Sequence, residues 1–327
     1  MNKSIAIIAG EPNSISSEII FKSWQIRKQY VHKPLFIIGS VLLLNLQKKK
    51  LNYKIKIRKI DNNFKINDLK SNELPVYDIE YKQKKPFEKI SSKSNKYILK
   101  CFNQAIKFIE SEKILGFINC PISKEFLFKK KHQGITEFLS KKSGKSGNEV
   151  MLIYNEKLSV SPITTHIPLN EVSSKIKKSN IINKVKIINS FYRKIFNKKP
   201  NFAILGLNPH NFSLPKKSEE KKIIHKAIKN LKKFKIKVSG PVPTDSSFMI
   251  LNKHKFDVII GMYHDQVLTP FKALYNFNAI NITLGLPYIR ISPDHGVAEN
   301  IIGKKIASPK SLIESIKFFN YLNISRI

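Results

Sequence analysis

The chain has 327 residues, comfortable for two α/β cores, and its hydrophobic content of 42% is ordinary for a globular protein. Its apolar runs, such as VLLLNL at 41–46, fall well short of the ~20 residues a membrane span needs, and the run before Gly10 is too short for a signal-peptide core. The net charge of +36 comes almost wholly from lysine scattered along the chain, with arginine only at positions 27, 58, 193, 290 and 326, so it reads as solvated surface and not as a nucleic-acid interface.

Strands are expected in chain order at SIAIIAG (4–10), PLFIIGS (34–40), ILGFINC (114–120), VMLIY (150–154), LSVSPITTH (158–166), NFAILGL (201–207) and DVIIGMY (257–263). Helical spacing of apolar residues falls between them, at 96–113, 173–196 and 219–234. Alternation of the two predicts an α/β fold with a largely parallel sheet. YKIKIRKI (53–60) and KFKIKV (233–238) alternate lysine with apolar residues, as the solvent face of a strand does. The polar, weakly patterned stretch 60–95 is expected to be a peripheral hairpin or loop. Cys101 and Cys120 give neither metal spacing nor a disulfide framework, and a reducing, cytoplasmic setting follows.

Ligands of open α/β sheets gather outside the carboxyl ends of strands. Three histidines stand at such ends: His166 in ITTHIPL, His210 in GLNPHN and His264 in GMYHDQ. Three imidazoles suit an open divalent site that lowers the pKa of a substrate hydroxyl. The competing reading is three hydrogen-bonded loop residues, which is how the lysine-flanked His32, His132, His225 and His254 read. Asp245 and Asp265 are candidate metal-shell carboxylates or proton carriers, against a plain turn or N-cap role. Lys124, after Cys120-Pro121, is a candidate contact to an anion. Arg290, rare in this chain, invites a phosphate or carboxylate role. The chain has no GxGxxG and no Walker loop, and only 12 glycines, so a nucleotide would have to be held in some other way.

Taken together, GEPNSISSEI, CPISKE, GITEFLS, TTHIPL, GLNPH, GPVPTDSSF, MYHDQ, NITLGLPYIRISPDHG and AENIIGK resemble, in order from about residue 5 to 305, the motifs of the 4-hydroxythreonine-4-phosphate dehydrogenase family. The resemblance implies two α/β/α domains flanking a central cleft, of the isocitrate/isopropylmalate dehydrogenase type, divided as 1–128 with 290–327 and 129–289. It implies a homodimer with shared active sites and NAD or NADP as cofactor. His166, His210 and His264 would hold a divalent metal (Zn, Mg, Co or Mn), the last supplied by the partner subunit. Thr136, Lys272, Asn281 and Arg290 would bind the phosphorylated substrate. Asp294, His295, Gly296 and Asn300 would form the cofactor loop, and Lys124, Asp245 and Asp265 are the candidates for proton transfer. The implied reaction is oxidation with decarboxylation of 4-phosphohydroxy-L-threonine to 3-amino-2-oxopropyl phosphate in pyridoxal 5'-phosphate synthesis. Two alternatives are a related dehydrogenase acting on phosphorylated threonate or erythronate, and a catalytically inactive basic binding protein on the same fold.

The chain departs from that pattern at three places. Ile135 stands where the family usually has a substrate-contacting histidine. NFSLPKKSEE replaces a glycine-rich loop after GLNPH. NSISS at 13–17 replaces a glycine-containing turn.

Overall fold

The computed structural model describes residues 3–128, 134–144, 147–210, 215–249, 256–276 and 278–322. In chain order the elements are β1 (Ser4–Ile8), α1 (Ser16–Gln25), β2 (Leu35–Gly39), α2 (Val41–Lys50), β3 (Ile57–Ile60), β4 (Leu74–Asp78), α3 (Asn95–Glu110), β5 (Ile114–Asn119), α4 (Lys124–Phe128) and α5 (Ile135–Lys142). They continue with β6 (Val150–Tyr154), β7 (Ser159–Pro162), α6 (Val172–Lys175), α7 (Lys178–Phe196), β8 (Phe202–Leu205), α8 (His225–Lys233), β9 (Val238–Val242) and α9 (Thr244–Ser247). The last are β10 (Val258–Gly261), α10 (His264–Tyr275), β11 (Ile280–Leu284), β12 (Ile289–Pro293) and α11 (Lys310–Asn320). No helix among the described residues is long and apolar enough to cross a membrane. The chain divides into two units, 1–138 with 287–325, and 139–286.

In the first unit the strand order is β3-β4-β2-β1-β5-β12, every pair parallel. Every residue of β1, β2 and β5 is buried, which is why these strands read as unbroken apolar runs in the sequence. Helix α3 buries Tyr97, Ile98, Cys101, Phe102, Ala105, Ile106 and Phe108, one face at three- and four-residue spacing. Ser40 starts α2 by accepting the Leu43 N–H on its Oγ at 3.3 Å.

In the second unit β11 and β6 are antiparallel, as are β6 and β7, whereas β7, β10, β8 and β9 run parallel. Val160, Ala203, Leu205, Ile259, Val267, Leu268 and Phe271 pack as one core beneath α10. Parallel pairing sends the ends of β7, β10 and β8 out along one edge, and this positions the histidine turns.

All seven expected strands form. Stretch 60–95 differs from expectation: it contributes β4, which lies between β2 and β3 and pairs with both. Only Leu74, Pro75 and Val76 of it are buried, too short a signal to stand out from polar surroundings. KFKIKV is the other departure, since α8 runs to Lys233 and β9 begins only at Val238. The expected helix 173–196 is broken between α6 and α7, and the one at 219–234 opens with a single π-helical turn, Glu220–Ile224.

Gly116, in the middle of β5, is where the sheet of the first unit tolerates no side chain. A Cβ there would stand 2.3 Å from the Ile289 carbonyl oxygen and 3.0 Å from the Phe319 ring. Gly116→Ala is expected to lower unfolding stability by about 1–3 kcal/mol. Chemical denaturation measures it, and an unchanged midpoint would show that β5 and β12 have room to move apart.

Candidate functional site

In the second unit the turns after β7, β10 and β8 carry His166, His264 and His210. The His166 and His264 rings lie 5.8 Å apart, centroid to centroid. His264 is the first residue of α10, and its Nδ1 meets Asp265 Oδ1 at 2.6 Å. His210 takes a left-handed backbone, φ +48°, on the exposed turn beyond β8. Among the described residues no group of three or more His, Cys, Asp or Glu side chains stands close enough to hold an ion. The donor chemistry of the three imidazoles suits a divalent metal.

What holds these turns was not legible in the residue spacing. Thr164, two residues before His166, donates its N–H (3.1 Å) and its Oγ1 hydroxyl (2.8 Å) to the Met262 carbonyl. Lys184 on α7 donates to the Ile163 carbonyl at 2.9 Å. Gln266, nearly fully buried, accepts the Met262 N–H and donates to the Gly206 carbonyl and to Thr244 Oγ1. Gly261 makes that approach possible, because a Cβ there would meet Val267 Cγ1 at 2.5 Å and Gln266 Oε1 at 3.1 Å. The available signals were that Gln266 ends MYHDQ and that a glycine closes β10.

Glu220, fully buried on the π-helical turn, secures the His210 side. Its carboxylate accepts the backbone N–H groups of Leu207 (2.8 Å) and Asn208 (2.9 Å) as well as the Asn208 side-chain amide. Burial pushes this carboxyl up, but the hydrogen bonds from Asn208 and Leu207 outweigh it and hold the group below the usual carboxylate range.

The remaining candidates in this unit are dispersed. Asp245 sits in the first turn of α9 and accepts the Ser246 N–H at 2.8 Å. Lys272 is exposed on the last turn of α10. Asn281, on β11, has its Oδ1 buried with no hydrogen bond from the described residues.

A second cluster is built in the first unit. Arg290, on β12, is buried, donates from Nε to Asn119 Oδ1 at 2.7 Å, and reaches Thr136 Oγ1 at 3.4 Å. Both acceptors are neutral. Burial pushes the guanidinium down to about 10, against the pull of Tyr288 and Glu137, so it stays charged at neutral pH. Lys124, at the start of α4, is exposed over much of its length. Its ammonium is nonetheless held below the ordinary lysine range, first by desolvation and then by the Arg290 charge, with Glu137 opposing. Asn119 is the contributor that sequence reasoning missed, although it lies directly before the CPISKE motif.

Ile135, at the start of α5, is buried, so its side chain packs into the fold. His132 lies outside the described residues. The residues that replace glycine at 13–17 all keep negative φ, and Ser14 bonds the Glu11 carbonyl at 2.7 Å, so this loop carries no left-handed strain. The substituted loop after His210 lies partly outside the described residues.

In the loop 294–300, the Asp294 N–H is tied to Ser311 Oγ at 2.8 Å, and a Cβ at Gly296 would meet nothing within 4 Å. His295 is half-buried and Asn300 is exposed on a 3-10 turn. An open glycine beside a tethered backbone suits close approach of a ligand.

Replacing Glu220 with alanine would orphan two backbone donors, and a loss of about 1–3 kcal/mol is expected. A depressed carboxyl contributes stability above its unfolded pKa and loses it as pH falls through the folded value. Wild type should therefore lose this contribution below the ordinary value of 4.5. Glu220→Gln has no proton to gain and should show a shallower acid slope in pH-dependent denaturation; equal slopes would contradict the assignment.

Comparison with known proteins places these clusters in context. The family model described as pyridoxal phosphate biosynthetic protein PdxA matches residues 31–319. The chain is 37% identical over 324 residues to the 4-hydroxythreonine-4-phosphate dehydrogenase of Sulfurihydrogenibium sp., covering 96% of each chain. It is 37% identical over 332 residues to the enzyme of that name from Aquifex aeolicus, covering 98% of this chain and 99% of the other. The crystal structure of 4-hydroxythreonine-4-phosphate dehydrogenase from Klebsiella pneumoniae superposes with a TM-score of 0.83 at 27% identity, covering 100% of this chain and 99% of that one. A match over nearly the whole chain, in sequence and in fold, leaves one conclusion: the chain belongs to the PdxA family of pyridoxal phosphate biosynthetic proteins.

Proposed function

We propose that the chain oxidises 4-phosphohydroxy-L-threonine with decarboxylation, giving 3-amino-2-oxopropyl phosphate as a step in pyridoxal 5'-phosphate synthesis. Family membership and the names of the nearly full-length relatives support an oxidoreductase of this pathway. The observation that carries the reading at residue level is the buried Arg290, seated on Asn119 and Thr136, with Lys124 near enough for the Arg290 charge to lower its proton affinity. Such a pair suits an anionic substrate group.

When bound, a divalent ion would lower the pKa of the substrate hydroxyl and polarise the ketone formed on oxidation, while a nicotinamide cofactor, NAD or NADP, would accept the hydride. His166, His210 and His264 would hold that ion. In a homodimer the partner subunit would supply His264, and among the described residues no three such side chains of one chain stand together. Arg290 and Thr136 would bind and orient the anionic end of the substrate, and Lys272 and Asn281 would add polar contacts. Lys124, its pKa lowered, is the best placed of the three proton-transfer candidates, because a larger fraction of it is neutral near pH 7 than of an ordinary lysine. The loop Asp294–Gly296 with Asn300 would receive the cofactor.

NADH formation from 4-phosphohydroxy-L-threonine should be absent from metal-free protein, appear on adding a divalent ion, and be lost in His210→Ala. No turnover by folded wild type with any ion would overturn the reading. Arg290→Met should raise KM for this substrate by about 10–100-fold, from a lost charged hydrogen bond of about 1.5–3 kcal/mol. A KM that does not move would remove Arg290 from substrate binding.

A further inference from the structure

One side-chain amide joins the His264 and His210 turns of the second unit, and the His166 turn is tied to it at one remove. Gln266 is 5% exposed. Its Oε1 accepts the Met262 N–H at 2.6 Å; its Nε2 donates to the Gly206 carbonyl at 2.7 Å and to Thr244 Oγ1 at 2.8 Å. Met262 is two residues before His264, Gly206 four before His210, and Thr244 adjoins Asp245. The Met262 carbonyl in turn accepts both bonds from Thr164, two residues before His166.

The amide has one workable orientation. Turned over, it would set its NH2 against the Met262 N–H and its oxygen against the Gly206 carbonyl. Both donors are used, and buried amides of this kind are costly to leave unsatisfied. Strand pairing alone does not do this work, because β10 stops at Gly261 and the last β10–β8 pair is Ile260 with Ile204. On the β7 side backbone bonds continue, from Ile163 to Gly261 and from Thr164 to Met262, but between β10 and β8 the next bonds are those of Gln266.

We propose that Gln266 is a positioning residue: it fixes the His264 turn relative to the His210 turn and to Thr244, and, through Met262 and Thr164, relative to His166. Its consequence for metal binding rests on the proposed function above, in which each metal takes His264 from the partner subunit, so Gln266 acts on one site through the His210 and His166 turns and on the other through the His264 turn. Supporting partners of metal ligands typically cost 10–100-fold in affinity when removed.

The test compares full-length wild type with Gln266→Met, Gln266→Glu and Tyr192→Phe. Tyr192 donates to Ser159 Oγ in the same unit, within the core, and serves as the control for general stability. Two quantities are read: amide hydrogen exchange at Met262, and Co2+ affinity by equilibrium dialysis, each beside the melting temperature. Gln266→Met should speed Met262 exchange about tenfold or more and weaken Co2+ binding about 10–100-fold. Gln266→Glu keeps an acceptor for the Met262 N–H but has no donor for Gly206. It should preserve Met262 protection and still weaken Co2+, and it decides the matter if the methionine variant does not fold. Tyr192→Phe should lower the melting temperature without changing Co2+ affinity. Unchanged exchange and unchanged Co2+ affinity in a folded Gln266→Met would overturn the proposal, as would an equal loss of affinity in Tyr192→Phe. If wild type itself binds no Co2+, the metal reading falls, and Met262 exchange alone then decides whether Gln266 holds the turns.

Discussion

The second unit depends on how three parallel strands are allowed to end. A strand that leaves its sheet gives up its ladder bonds, and each freed backbone group must find another partner or stay solvated. After β7, β10 and β8 a few backbone bonds continue, Ile163 to Gly261, Thr164 to Met262 and Gly206 to Val242, and side chains add others: Thr164 and Gln266 onto Met262, Gln266 onto Gly206, Glu220 onto Leu207 and Asn208, and Lys184 onto Ile163. The direction in which the chain departs, and so the place of each histidine, is set by these bonds.

The first unit meets a related demand differently. Its strands are spaced by what is missing: no side chain at Gly116, and at Gly10 a left-handed residue whose Cβ would meet the Pro121 carbonyl at 2.4 Å. The segment after the candidate cofactor loop is clasped from α1, where buried Glu18 accepts the Ala307 N–H and Lys22 donates to the carbonyls of Lys305 and Ala307. In a chain with so many lysines, this one stands out by having defined backbone partners far away in sequence.

The strands and their histidine tips were legible because a buried parallel strand is an unbroken apolar run, and the polar residue that follows is conspicuous. β4 was not, since its five residues begin with Leu-Pro and its burial comes wholly from neighbours distant in sequence. The motifs named Arg290, Thr136 and His264 but not their supports. Asn119 lies 171 residues from Arg290, and Gly206 lies 60 from Gln266. A bond of that sequence separation leaves no periodicity to find. Whether the glycine-poor turn at 13–17 carries left-handed strain was likewise a local question that needed backbone angles to answer.

With Arg290 seated inside the first unit on an amide and a hydroxyl, its charge places an electrostatic load on Lys124 that Glu137 opposes. An anion that enters relieves that load, so by mass action it stabilises the folded state as well as occupying the site. Where opening is rapid compared with cleavage, susceptibility to proteases follows the population of opened molecules. Protection from a protease by an added anion would therefore report its binding at this cluster.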